Sequence, residues 1–348
     1  MLLYLHIPFC DSKCFYCSFN SYTDLLHLKT KYMKAVKTQL LFELERFKVK
    51  KSSIETVFIG GGTPSTVEAK LYENFIDLLS PYLKEDMEFT TEANPNSATL
   101  QWLKEMKNLG VNRVSFGVQS FDEEKLKYLG RNHSPKDALT AVENAYKIGI
   151  KNISIDIIYD TIKDTKKLLK KDLQTAFSLP INHISSYSLT IEKATKFYQE
   201  KTLPKDDENL AFWFVDEVKK RFPQYEISNF GKYKSKHNLG YWQLKDYIGI
   251  GSGAVGFFKD KRFYPHTNVK KYIEDPLFHK VEHLSKQDLL TEKIFLGLRS
   301  EVGVEKTLLP EDKTKLLLEE KKLYEKNSKI FNKNFFLADE LALFLIED

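Results

Sequence analysis

The chain has 348 residues, 42% hydrophobic and 29% charged, which excludes an intrinsically disordered polymer and fits two domains or one large domain with an appendage. A net charge of +5, spread over 53 basic and 48 acidic residues, is too weak and diffuse to argue for a nucleic-acid partner. The three cysteines, Cys10, Cys14 and Cys17, are crowded together, which excludes a disulfide framework and points to a reducing, cytoplasmic compartment.

In chain order, the apolar residues 1–9 are broken by His6 and Pro8, with no cleavage site after them, so no signal peptide is expected. No apolar stretch reaches the ~20 residues of a membrane-spanning helix. Residues 2–8 read as a strand. Residues 25–47 read as a helix, with Leu26, Tyr32, Val36, Leu40, Leu41 and Leu44 at helical spacing. Strands at 56–59, 87–92, 111–117, 152–159 and 184–189 then alternate with helices at 71–83, 98–109, 135–148, 163–178 and 208–221. Six β-then-α units predict an α/β fold with a parallel sheet, either a partial (β/α)6 barrel or an open doubly wound sheet. After Tyr225 the pattern weakens, and Gly249, Gly251, Gly253 and Gly256 crowd one segment. From Tyr272 the chain is Lys- and Leu-rich with helical spacing. This predicts a core domain over 1–265 and a smaller, mainly helical domain over 266–348. The apolar stretch at 335–348 carries Asp339 and Glu340, and reads as a packed or interfacial helix or strand.

In parallel α/β folds reactive groups gather at the carboxyl ends of strands. Here those ends carry the three cysteines, Gly61-Gly62-Thr63-Pro64, Glu92-Ala93-Asn94-Pro95, Gln119, Asp156, and Ser188 with Thr190. Each alone is weak, since a strand end is often polar because it meets water; their recurrence predicts one polar mouth. The cysteine spacing is C-x3-C-x2-C. Soft thiolates select zinc, copper(I) or iron–sulfur clusters. A closed zinc site wants four ligands, which His6 could complete. Three thiolates could instead hold three irons of a [4Fe–4S] cluster and leave the fourth open to a ligand.

This cysteine motif resembles that of the radical S-adenosylmethionine (SAM) superfamily. YLHIPFC, GGGTPS, VSFGVQSF, SIDIIYD, LTIE and YEISNF are similar to its coproporphyrinogen III oxidase-like branch. The resemblance implies a partial (β/α)6 radical SAM barrel with a [4Fe–4S] cluster on Cys10, Cys14 and Cys17, in the loop at 9–20. It implies SAM chelated at the open iron, where reduction can cleave its sulfonium to a 5′-deoxyadenosyl radical. The implied SAM contacts are Tyr4, Gly61, Gly62, Thr63 and Glu92. Gln119, Arg131 and Asp156 add contacts that serve a second SAM in the dehydrogenase of the branch.

That branch holds both an enzyme, the oxygen-independent coproporphyrinogen III dehydrogenase, and heme chaperones. The dehydrogenase has a fourth cysteine where this chain has Phe19, and an extension ahead of the first strand. His237-Asn238-Leu239-Gly240-Tyr241-Trp242, within the segment 225–257, matches an H-N-x-x-Y-W heme motif. Its histidine would be an axial iron ligand, and Tyr241 and Trp242 a flat apolar surface for the macrocycle. The resemblance therefore implies a heme chaperone that delivers heme to apo-hemoproteins, such as those of respiration. Homodimerisation and peripheral membrane contact come with the family, and the dehydrogenase activity of porphyrin metabolism is the alternative. Two departures stand out. Asp160-Thr161-Ile162 replaces a Gly-Leu-Pro turn after the fifth strand, and Val255 stands where histidine is frequent.

Overall fold

The computed structural model describes residues 1–347. Six strands pair in parallel and in chain order: β1 (Leu2–Ile7), β2 (Ile54–Gly61), β3 (Leu83–Ala93), β4 (Arg113–Gln119), β5 (Asn152–Tyr159) and β6 (His183–Ser188). Helical segments connect them. β4 and β5 are buried along nearly their whole length, as parallel strands covered on both faces require. The helix Lys29–Arg46 turns Tyr32, Val36, Leu40 and Leu44 into the same core as Val57 and Ile59. The six expected β-then-α units thus form.

The sheet is larger than these six strands. β7 (Asn229–Gly231) adds antiparallel to β6. On the other side β8 (Tyr247–Ile250) pairs in parallel with β1, and β9 (Gly256–Phe258), β10 (Lys261–Tyr264) and β11 (Lys280–His283) follow antiparallel, giving eleven strands. β1 is therefore interior, flanked by β2 and β8.

The large sheet and its core continue past residue 265. β11 carries the sheet to His283, and Val269 and Tyr272 belong to the main core. A separate core begins with the helix Lys286–Leu298 and gathers Ile294, Leu298, Val304, Leu317, Ile330, Leu341 and Leu345. This unit is not only helical. β12 (Val304–Glu305), β13 (Leu323–Lys326) and β14 (Lys329–Asn332) form a three-stranded antiparallel sheet. The C-terminal apolar stretch is the helix Ala338–Ile346, which buries Leu341, Ala342 and Leu345 and exposes Leu343 and Phe344. Among the described residues no helix is long and apolar enough to cross a membrane.

Behind the ends of β4 and β5 lies a buried ion cluster. Lys125 is fully buried, with Nζ 2.6 Å from Asp164 Oδ1, 2.7 Å from the Ile158 carbonyl and 3.9 Å from Asp172 Oδ2. Asp172 also accepts from Ser120 Oγ at 2.8 Å and from the Phe121 N–H at 2.7 Å. Asp164 accepts from the Thr161 N–H and hydroxyl at 2.8 and 2.9 Å. The cluster thereby pins the loop in which Asp160-Thr161-Ile162 replaces Gly-Leu-Pro. Asp160 adopts φ +67°, the left-handed conformation a glycine would supply, which aspartate tolerates better than most residues. Its carboxylate accepts from Ser188 Oγ at 3.1 Å and from the Asp207 N–H at 3.3 Å.

Candidate functional site

A cavity of about 450 Å³ opens at the carboxyl ends of the parallel strands. All six ends reach it, through Cys10, Cys14 and Cys17 after β1, Gly61-Gly62-Thr63, Glu92 and Asn94, Gln119, Asp156, and Ser188 with Thr190. Arg131 also lines it.

The cysteine loop is held by its neighbours. The Cys10 N–H donates to the Tyr22 carbonyl at 3.1 Å, the Tyr22 N–H to the Pro8 carbonyl at 2.8 Å, and the Phe15 N–H to the Leu129 carbonyl at 3.1 Å. Phe15 packs edge-on to Phe197 at 6.0 Å between centroids, with the Lys196 ammonium 3.7 Å from its ring. Thr63 Oγ1 donates to Cys10 Sγ at 3.3 Å, and Arg131 donates to Cys14 Sγ at 3.2 Å. Arg131 also bonds Asn94 Oδ1 at 2.8 Å and the Gly117 carbonyl at 2.6 Å. Burial pushes the Cys10 and Cys17 thiols up, with hydrogen bonds pulling each part of the way back.

Three soft donors on one cavity wall, two with outer hydrogen bonds to their sulfurs, fit a three-thiolate [4Fe–4S] cluster. Among the described residues no three His, Cys, Asp or Glu side chains converge on a position for a single metal ion. Such a cluster supplies, when bound, an open iron and an electron.

The glycines set how closely the loop approaches β2. The Gly62 N–H donates to the Ile7 carbonyl at 2.7 Å. A Cβ at Gly62 would lie 2.7 Å from the Phe9 carbonyl oxygen and 3.0 Å from Cys10 Sγ. Gly61 has φ +112°, and a Cβ there would meet the His6 ring at 2.5 Å. Gly62→Ala is therefore expected to displace Cys10 and sharply lower iron and labile sulfide after anaerobic reconstitution. Wild-type iron content in that variant would refute the close-approach role.

Two carboxyls face each other across the same cavity. Glu92 accepts from the Gly61 N–H at 3.0 Å, and Asp156 from Ser115 Oγ at 3.2 Å. Burial, with the neighbouring Asp156, pushes Glu92 up to about 7, and burial pushes Asp156 up to about 6. Both stand above their unfolded values of about 4, so folding favours their neutral forms. The stability they contribute is complete below the unfolded values and is lost as pH rises through 6 and 7. SAM-free protein should thus denature more easily at pH 8 than at pH 5, and Glu92→Gln should flatten that difference. A pH series of denaturation midpoints, equal in slope for both proteins, would remove Glu92 as its source.

A second cavity, about 720 Å³, adjoins the first and shares Gly61, Glu92 and Phe19 with it. Its wall holds Tyr4, His6, Tyr241 and Tyr247 from the large sheet and its connections, and Glu292, Phe295 and Arg299 from the smaller unit. Tyr4 sits here and not in the cysteine cavity; its hydroxyl is 3.1 Å from His6 Nδ1. His6 Nε2 lies 2.8 Å from the Asn20 carbonyl, which only accepts, so that nitrogen carries the proton. Arg262 pairs with Glu292, and Arg299 with Asp339 at 2.6 Å.

The H-N-x-x-Y-W segment forms the helix Lys236–Trp242. His237 is 1% exposed, and both ring nitrogens are engaged, Nδ1 with Thr56 Oγ1 at 2.7 Å and Nε2 with Tyr241 Oη at 2.9 Å. Burial lowers its pKa to about 3, so it is neutral. Tyr241 lines the larger cavity, while Trp242 is half-buried and lines neither. Sequence reasoning overlooked Glu88 on β3, which anchors this helix. Its carboxylate accepts from Tyr233 Oη at 2.9 Å, Ser235 Oγ at 3.3 Å, and the Lys236 and His237 N–H groups at 2.8 and 3.1 Å. A charged residue inside a strand was its one visible signal.

The family model for the radical SAM superfamily matches residues 4–174. The chain is 36% identical over 321 positions to the heme chaperone HemW of Bacillus subtilis, covering 87% of this chain and 84% of that protein. It is 32% identical to HemW of Lactococcus lactis, covering 99% and 93%. It is 34% identical to the mitochondrial radical S-adenosyl methionine domain-containing protein 1 of Mus musculus, covering 87% and 74%. Among solved structures, the coproporphyrinogen III oxidase HemN of Escherichia coli superposes with a TM-score of 0.83 at 20% identity, covering 99% of this chain and 89% of that one, and so shares the fold. The chain belongs to the HemW family within the radical SAM superfamily.

Proposed function

We propose that this protein is a heme chaperone of the cytoplasm. It holds a [4Fe–4S] cluster on Cys10, Cys14 and Cys17 and binds SAM in the smaller cavity. It carries heme in the larger cavity and passes it to apo-hemoproteins, respiratory ones among them. The observation that carries this reading is the adjoining cavity walled by the H-N-x-x-Y-W helix, in a chain related along its length to heme chaperones.

A volume of about 720 Å³ falls within the range of cofactor-sized sites. Tyr4, Tyr241, Tyr247 and Phe295 offer flat apolar surface. Arg262 and Arg299 each have five donors, more than Glu292 and Asp339 use, so donors remain for two propionates. In the smaller cavity Gly61, Gly62 and Thr63 give close backbone approach, and Glu92 and Asp156 supply buried carboxyls that a bound sulfonium would draw toward their charged forms. Gln119 and Arg131 complete that wall, and Tyr4 reaches SAM only from the larger cavity. His237, Tyr241 and Trp242 form the heme segment. Homodimerisation, peripheral membrane contact and a place in porphyrin metabolism belong to the same reading.

Phe19, where the dehydrogenase has a fourth cysteine, is 66% exposed and offers no thiolate. One anaerobic preparation tests the reading. Split between heme titration and incubation with coproporphyrinogen III, SAM and reductant, it should bind heme stoichiometrically and form no protoporphyrinogen IX. Turnover without heme binding would reverse the assignment.

A further inference from the structure

Heme carriage leaves open which atom of the helix Lys236–Trp242 meets the iron. His237 is an unsuitable candidate as it stands. It is 1% exposed, Thr56 Oγ1 holds Nδ1 at 2.7 Å, and Tyr241 Oη holds Nε2 at 2.9 Å, so neither nitrogen is free. Tyr241 lies one helical turn later on the same face and lines the larger cavity. The Thr56–His237 bond is buried, whereas the His237–Tyr241 bond is only partly buried. The order from core to cavity is thus Thr56, His237, Tyr241. Edge-on contacts at 4.7 Å hold the Tyr241 ring against both His237 and Tyr247. Tyrosine is an established class of heme-iron ligand.

We propose that Tyr241 Oη ligates ferric heme iron, with His237 as a positioning residue behind it; the proposal rests on the heme-carrying reading above. Ferric heme enters as its hydroxide complex. The iron–hydroxide bond breaks, the iron–Oη bond forms, and hydroxide leaves as water with the phenol proton. No electron is transferred. A threonine hydroxyl both donates and accepts, so Thr56 can hold either neutral tautomer of His237. The imidazole accepts from the phenol in the free protein and donates to the phenolate once iron is bound. The nearest rival in the cavity, His6, has its protonated Nε2 on the Asn20 carbonyl and its Nδ1 beside Tyr4 Oη.

The test is titration of the full-length, cluster-reconstituted protein with ferric heme, read by absorbance and resonance Raman. The wild type should show a phenolate-to-iron charge-transfer band and enhanced phenolate ring modes, a signature that needs no variant. Tyr241→Phe should lose both. His237→Gln should keep them while weakening affinity by roughly ten- to a hundredfold, as outer-shell partners do. An imidazole-type spectrum that survives in Tyr241→Phe overturns the assignment and leaves heme carriage standing. A fully clustered wild type that binds no heme overturns heme carriage itself, and the ligand assignment with it.

Discussion

Replacing Lys125 by methionine is expected to cost about 3–5 kcal/mol of folding stability, the usual penalty for removing one partner of a buried ion cluster. Methionine is close to isosteric, so little packing is lost. What is lost, among the described residues, is the only ammonium paired with the carboxylates of Asp164 and Asp172, both themselves buried. Burial already raises the Asp172 carboxyl and the Lys125 ammonium holds it back. Without that ammonium the stranded Asp172 carboxyl favours its neutral form more strongly. Its folded value then lies further above the unfolded one, and the stability of the variant falls further as pH rises. Urea denaturation of wild type and Lys125→Met at pH 5 and pH 8 checks this, and the gap between the two proteins should be wider at pH 8. A gap that narrows on raising the pH would show that the loss comes from packing. The loop at 160–164 should loosen as well, because Asp164 ties Thr161 to the same cluster.

Glu88→Ala is the second large effect. The change removes the acceptor of three hydroxyls, those of Thr90, Tyr233 and Ser235, and of two helix N–H groups; each donor left buried and orphaned costs about 1–3 kcal/mol. Partial relaxation brings the expected loss to about 3 kcal/mol or more. The helix that carries His237 and Tyr241 is capped by Ser235 and tied at the same end by this carboxylate, so heme affinity should fall along with stability. Cluster content should stay at the wild-type level, because no hydrogen bond links Glu88 to the cysteine loop. Measuring heme binding and labile sulfide on the same sample separates the two sites. Equal loss of both would mean that Glu88 supports the whole barrel and not the heme segment.

The parts of this molecule legible in its sequence are those governed by local pattern. The runs VFI, VSF and ISIDII mark strands buried on both faces, and the cysteine crowding and the glycine triplet mark the mouth of the sheet. The parts that were not legible depend on partners far away in the chain. β8 has four residues and becomes a strand only because Leu2–Leu5 lies beside it. β12 to β14 have two to four residues each, too short for a period to register. Lys125 sits in the charged sequence EEKLKY, which gives no local sign of burial, yet its counter-ions lie 39 and 47 positions away and draw it inside. His237 reads as an axial ligand because nothing local reveals Thr56, 181 residues distant.

The pairing of β1 with β8 sets a timetable for biosynthesis. The first strand is made some 245 residues before the strand that covers its second edge. At typical translation rates of 5–20 residues per second, that edge waits roughly 10–50 s. For all of that interval the apolar strand Leu2–Ile7 is an open template for misplaced pairing, and the cysteine loop that follows it lacks its finished surroundings. A complete sheet behind the cysteine loop therefore exists only once β8 has been made, and iron and sulfide loaded before that point would enter a site with one strand edge still open.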